Sequence, residues 1–183
     1  FGTNLLYRND GETRWTPISG DLTGGPHLDP SCQVIGALTT IAVSPQDGQV
    51  IVTGSDDGQV HVTTDGGAVW ENVTDGLPQR WITSVRCDPF VRETIYATIS
   101  GIRWDEPLPH VFRSTNLGAD WEAIAGNLPE APVNDLLAHP DNSGRLFVAT
   151  DLGVFGTTDG GATWSPVAAG LPNVVVNNLA WNK

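Results

Sequence analysis

Apolar and polar residues alternate with period two along most of this chain, in runs of three to seven, and Gly, Pro, Asp and Asn interrupt the runs at short intervals. That pattern predicts many short strands joined by turns, and no long stretch carries the 3.6-residue period of a helix. One plan recurs. A first strand, A, is expected at 38–43, 82–87 and 133–138, each run closing on Ser-Pro, Asp-Pro or His-Pro. Strand B follows at 50–53, 94–98 and 145–150, strand C at 60–62, 110–113 and 153–155, and strand D begins at Trp70, Trp121 and Trp164. The chain opens with only B, C and D, around Phe1, 5–7 and 15–18, and closes with only an A-like run at 174–181.

The connection from C to D repeats a motif. Thr63-Thr-Asp65-Gly-Gly67-Ala-Val-Trp70, Ser114-Thr-Asn116-Leu-Gly118-Ala-Asp-Trp121 and Thr157-Thr-Asp159-Gly-Gly161-Ala-Thr163-Trp164 align position by position, and a frayed copy, Arg8 to Trp15, precedes them. The tryptophans recur at steps of 55, 51 and 43 residues, the period of propeller blades. The acid at the head of such a turn accepts hydrogen bonds from backbone N–H groups, and Gly supplies backbone angles with positive φ. The Trp then offers a large apolar face to the neighbouring blade and one N–H in need of an acceptor. These residues are therefore expected to be structural.

The motif resembles the Asp-box, Ser/Thr-x-Asp-x-Gly-x-Thr-Trp, also called the BNR repeat. Only the third copy matches at every fixed position; Val69 breaks the first, and Asn116 and Asp120 the second. The resemblance implies a β-propeller, as in sialidases, xyloglucanases, sortilin-type ectodomains and photosystem II assembly factors, and an extracytoplasmic or secreted setting. The expected fold is all-β, with about four blade-equivalents of four antiparallel strands. The expected layout is one unit over 1–183: a partial blade at 1–19, blades at 37–75, 81–125 and 132–168, and an inner strand at 174–181. That unit is either a closed ring fastened by its ends or an arc of a larger propeller, and unpaired blade edges would allow self-association.

Charge narrows the partners. With 21 acidic against 9 basic residues the formal net charge is −12, which repels phosphate backbones, so nucleic acid is not an expected partner. No apolar run approaches the length of a membrane-spanning helix. Cys32 and Cys87 lack metal-site spacing and are expected as small apolar thiols. His27, His61, His110 and His139 are scattered over different elements, so neither a metal, another cofactor nor a His-based triad is expected.

Function is sought on the face of the B–C and D–A connections, opposite the boxes. Two departures from the repeat fall there, the long D–A connection 19–36 and the expanded B–C connection 101–110. The second carries Arg103, Trp104, Asp105 and Glu106, an aromatic plane beside charged groups, and the other B–C turns add Asp56, Asp57 and Asp151. Insertions on a regular repeat are where binding surfaces are commonly added. The expected function is a non-catalytic module that binds a glycan or a protein there. The alternative is part of a secreted glycoside hydrolase, which needs two carboxyl groups flanking the bond; no catalytic residue is assigned.

Overall fold

The computed structural model describes residues 3–9, 11, 13–25, 27–29, 32–34, 36–167 and 173–182, with backbone only at 27–29 and 32–34. Phe1, assigned above to a strand, and the side chain of Cys32 lie outside the described residues.

A two-stranded hairpin, β1 (Tyr7–Arg8) with β2 (Thr16–Pro17), comes first, followed by a second, β3 (His27–Asp29) with β4 (Cys32–Val34). Sheet 1 is β5 (Leu38–Val43), β6 (Ile51–Ser55), β7 (Val60–Thr63) and β8 (Glu71–Asn72). Sheet 2 is β9 (Trp81–Cys87), β10 (Ile95–Gly101), β11 (Glu106–Ser114) and β12 (Glu122–Ala123). Sheet 3 is β13 (Val133–Ala138), β14 (Leu146–Thr150), β15 (Gly153–Thr157) and β16 (Ser165–Pro166). Strands lie in chain order within each sheet and every pair is antiparallel. The expected all-β architecture is therefore found, and part of the 19–36 connection, expected as a loop, pairs with itself as β3 and β4.

Period-two alternation on the second strands explains how the sheets stack. On β6, Val52 joins the core between sheets 1 and 2, whereas Ile51 turns the other way, towards Leu6 and Leu22. On β10, Ile95, Ala97 and Ile99 enter that first core, and Tyr96 enters the next one, with Leu136, Leu146 and Val148 of sheet 3. Each middle sheet thus buries both faces. Strand β5 packs on β9 and β9 on β13, so the sheets follow one another as an arc and do not close. Cys87 sits at the end of β9, and burial pushes its thiol up to about 12.

The tryptophan turns fasten each sheet to the one before it. Nε1 of Trp70 donates to Ile18 O at 2.8 Å, that of Trp121 to Val73 O at 2.8 Å, and that of Trp164 to Ile124 O at 2.9 Å. Ile18, Val73 and Ile124 each stand three residues beyond the preceding tryptophan of the series, so the link has one register. Within the turns, Asp65 Oδ1 accepts from the amides of Ala68 and Val69 at 2.9 and 3.0 Å, and Asp159 Oδ1 from that of Thr163 at 2.9 Å. The divergent second turn keeps the bonds by exchanging partners. Asn116 Oδ1 accepts from the Asp120 amide, and its Nδ2 donates to Asp120 Oδ2 at 2.9 Å, where Thr163 donates its hydroxyl to Asp159.

The inner strands are also linked in register. Thr39 Oγ1 donates to Ile82 O at 2.6 Å, Thr83 Oγ1 to Val133 O at 2.8 Å, and Asn134 Nδ2 to Val176 O at 3.0 Å. Residues 173–182 therefore stand where a fourth inner strand belongs. The inner strand expected at 174–181 does not form, since this segment carries no ladder, and of the two expected layouts, a ring fastened by its ends and an arc, the arc is found. The start of the chain lies against sheet 1, where Leu38 N donates to Thr3 O at 2.6 Å. The segment is held instead by Val176 N to Thr150 O, and by Asp135 Oδ2, which accepts from Asn178 Nδ2 and Leu179 N at 3.0 and 2.9 Å.

Candidate functional site

The B–C connection of sheet 2 is built by a break in register. Pairing of β10 with β11 slips between Ile99 and Gly101, which frees residues 102–105 to form one 3-10 turn, Ile102–Trp104, closed by Asp105 at φ 55. Asp tolerates that left-handed conformation better than most side chains. Gly101 and Glu106 then face each other so closely that a Cβ on Gly101 would stand 2.7 Å from Glu106 Cβ. Pro107 and Pro109 fit within β11 because β12 pairs only with its far end, Phe112 and Arg113.

The turn carries Arg103 and Trp104 to the rim of a depression of about 430 Å³, lined by Asp56, Asp57, Gln79, Arg80, Arg103 and Trp104. Trp104 is 47% exposed there. Two arginine–tryptophan stacks interleave along the rim: the Arg80 guanidinium lies 5.0 Å from the Trp104 ring centre, and that of Arg103 lies 4.7 Å from the Trp81 ring centre. Arg80 Nε also donates to Glu106 Oε2 at 3.1 Å, and His110 Nε2 lies 2.8 Å from Glu106 Oε1. The bond from His110, supported by Arg80, holds the Glu106 carboxyl below the usual carboxylate range.

Of the seven residues expected to form the site, the fold gathers Asp56, Asp57, Arg103 and Trp104 around one depression. Glu106 stands behind it, bonded to Arg80, and Asp105 caps the turn. Asp151 lies apart, on sheet 3, where its Oδ1 accepts from Asn134 Nδ2 at 2.9 Å. Gln79, Arg80 and Trp81 were missed, although the first two follow Gly76-Leu-Pro on a D–A connection of the same face and Trp81 opens β9.

The acids of the site already serve the fold. Asp56 Oδ1 accepts from Ala37 N at 2.7 Å, and Asp57 Oδ2 accepts from Gly24 N at 2.7 Å while its Oδ1 takes the Ser55 hydroxyl. These bonds tie the 19–36 connection down beside the depression, and Gly36 is required there because a Cβ would meet Asp57 Oδ2 at 2.6 Å. A general acid for glycoside cleavage needs a raised pKa; Glu106 is shifted the opposite way. Among the described residues no three His, Cys, Asp or Glu side chains gather as a metal site would require.

No known family model matches this sequence, and no curated protein matches it. Solved structures do. An ancestral GH74 enzyme superposes with a TM-score of 0.64 at 19% identity over 92% of this chain and 23% of its own. The GH74 xyloglucanase from Xanthomonas campestris gives 0.66 at 17% identity over 91% of this chain and 27% of its own. YCF48 from Cyanidioschyzon merolae gives 0.54 at 22% identity over 71% and 36%. This chain thus spans about a quarter of the length of the GH74 structures. At these identities the likeness is one of fold, and the chain is an arc of β-propeller blades.

Proposed function

We propose that this chain is a non-catalytic, extracytoplasmic Asp-box propeller module, a single unit over 1–183, that binds a glycan on the face bearing Trp104. The observation that carries this reading is the half-exposed Trp104 ring at the rim of a 430 Å³ depression lined by Gln79, Arg80 and Arg103. A sugar ring presents apolar C–H faces to stack on an indole and hydroxyls to bond at its edge; the guanidinium groups of Arg80 and Arg103 and the amide of Gln79 supply donors, and the Gln79 amide oxygen an acceptor. The Asp-box assignment draws on the turn bonds of Asp65, Asn116 and Asp159. The acidic surface disfavours nucleic acid and anionic lipid as competitors.

The GH74 likenesses favour a second reading, in which this arc forms part of a hydrolase cleft. Against chemistry by this chain alone stands the commitment of Asp56, Asp57 and Asp151 to bonds within the fold. A glycan array followed by a reducing-end assay separates the two. The module reading expects retention of an oligosaccharide without cleavage. Release of new reducing ends by the purified chain would give the enzyme reading priority, and a blank array would remove the glycan.

A further inference from the structure

The series of indole-to-carbonyl links has an unfilled fourth acceptor. Trp70, Trp121 and Trp164 donate to Ile18, Val73 and Ile124, each three residues beyond the preceding tryptophan. Three residues beyond Trp164 stands Val167, 51% exposed, with no indole on it among the described residues. Around it lies a depression of about 280 Å³ lined by Arg145, Phe147, Gly156 and Thr163. Phe147 holds on β14 the place that Tyr96 holds on β10, and Tyr96 is buried against the following sheet. The inner-strand place beside this face is already taken by residues 173–182, with Trp181 tilted against Phe147 at 6.3 Å. The face thus continues, position by position, the interfaces between sheets 1 and 2 and between sheets 2 and 3.

What fits it follows from the donor side. A Cβ on Gly67 would stand 2.6 Å from Ile18 O, one on Gly118 2.7 Å from Val73 Cβ, and one on Gly161 2.8 Å from Ile124 Cβ. The fifth position of the turn must therefore be Gly for the indole to reach its acceptor. The frayed first copy has Glu12 at that position, so a second copy of this chain has no intact, unengaged turn to offer. We propose that the outer face of sheet 3 is a docking surface for a three-stranded unit with an intact Ser/Thr-x-Asp-x-Gly-x-x-Trp turn. Its first strand pairs with 173–182, and its indole donates to the Val167 carbonyl.

The test joins a second copy of residues 143–167 after Asn182 of the otherwise unchanged chain and follows amide hydrogen exchange by mass spectrometry. Docking predicts exchange across 173–182 slowed about tenfold or more relative to the parent chain. That protection is lost when the added copy carries Gly161→Ala, and also when Val167→Arg is placed on the accepting face, while sheets 1 and 2 exchange as before. Unchanged exchange at 173–182, whether or not the added copy is ordered, overturns the proposal, as does protection that survives Gly161→Ala. Concentration-dependent dimerisation of the parent chain that Val167→Arg abolishes would also overturn it, because the occupant would then be a second copy.

Discussion

Trp121 donates its indole proton to the carbonyl of Val73 at 2.8 Å, across the boundary between sheets 2 and 1. The bond is local in neither sequence nor sheet, and it repeats for Trp70 and Trp164. Stacked sheets held by apolar contact alone could slide along each other. A directional bond from one ring to one carbonyl selects a single stacking register. Trp121→Phe keeps most of the apolar area and is expected to lower stability by about 1 kcal/mol. Trp164→Ala, which empties a site where the ring is only 3% exposed, is expected to cost about 3–5 kcal/mol. Urea unfolding of the two variants checks the ratio.

Gly118 and Gly76 separate two effects of a glycine. Both have positive φ, 94 and 86, but a Cβ on Gly118 would press on Val73 whereas one on Gly76 meets nothing. Gly76→Ala therefore pays only the backbone term, about 1 kcal/mol, and Gly118→Ala adds an overpacking cost that brings it to about 2–4 kcal/mol. Equal losses in thermal or urea unfolding would mean that the boundary between sheets 1 and 2 yields freely.

The carboxylate of Asp159 is held well below the usual carboxylate range by the Thr157 hydroxyl, then by the Thr163 hydroxyl and amide. A depressed folded pKa contributes stability that is fully present above the unfolded value near ~4 and lost as pH falls through the lower folded value. Asp159→Ala should therefore reduce stability at neutral pH and flatten the acid limb of the stability curve, with ligand binding unchanged. An acid limb identical to the parent's would show that these bonds persist in the unfolded chain.

Asp135 is 2% exposed and joins three consecutive inner segments: it pairs with Arg86 of β9 at 2.7 Å, sits on β13, and accepts from Asn178 and Leu179. Asp135→Ala leaves Arg86 without its carboxylate and is expected to cost about 3–5 kcal/mol. It should also release 173–182 selectively, seen as faster amide exchange there under conditions where sheets 1 and 2 stay protected.

The strands of sheets 1 and 2 were legible because both of their faces are buried and the sequence alternates accordingly, as Ile51 and Val52 or Ile95, Tyr96 and Ala97 show, and sheet 3 repeats the pattern with one face buried. Segment 174–181 misled for a physical reason: Val-Val-Val followed by Leu-Ala-Trp reads as a strand, but a ladder also needs a neighbouring strand in register, and this segment is held by the isolated backbone bond of Val176 to Thr150 and by side chains of sheet 3. The β3–β4 hairpin was hidden in a stretch rich in Gly and Pro that reads as loop. Within the site, Trp104 was conspicuous because its loop departs from the repeat. Arg80 was not, because its place beside Trp104 depends on the neighbouring connection folding back over the face.

The central claim is that Trp104 is the platform of a glycan site, and calorimetric titration of Trp104→Ala with an oligosaccharide retained by the parent chain tests it most directly. Removal of the ring is expected to weaken binding by at least tenfold, equivalent to about 1.4 kcal/mol, with unfolding unchanged, while Asp159→Ala binds as the parent does. Parent-like affinity in Trp104→Ala would contradict the account and leave the 102–105 turn a purely structural feature of sheet 2.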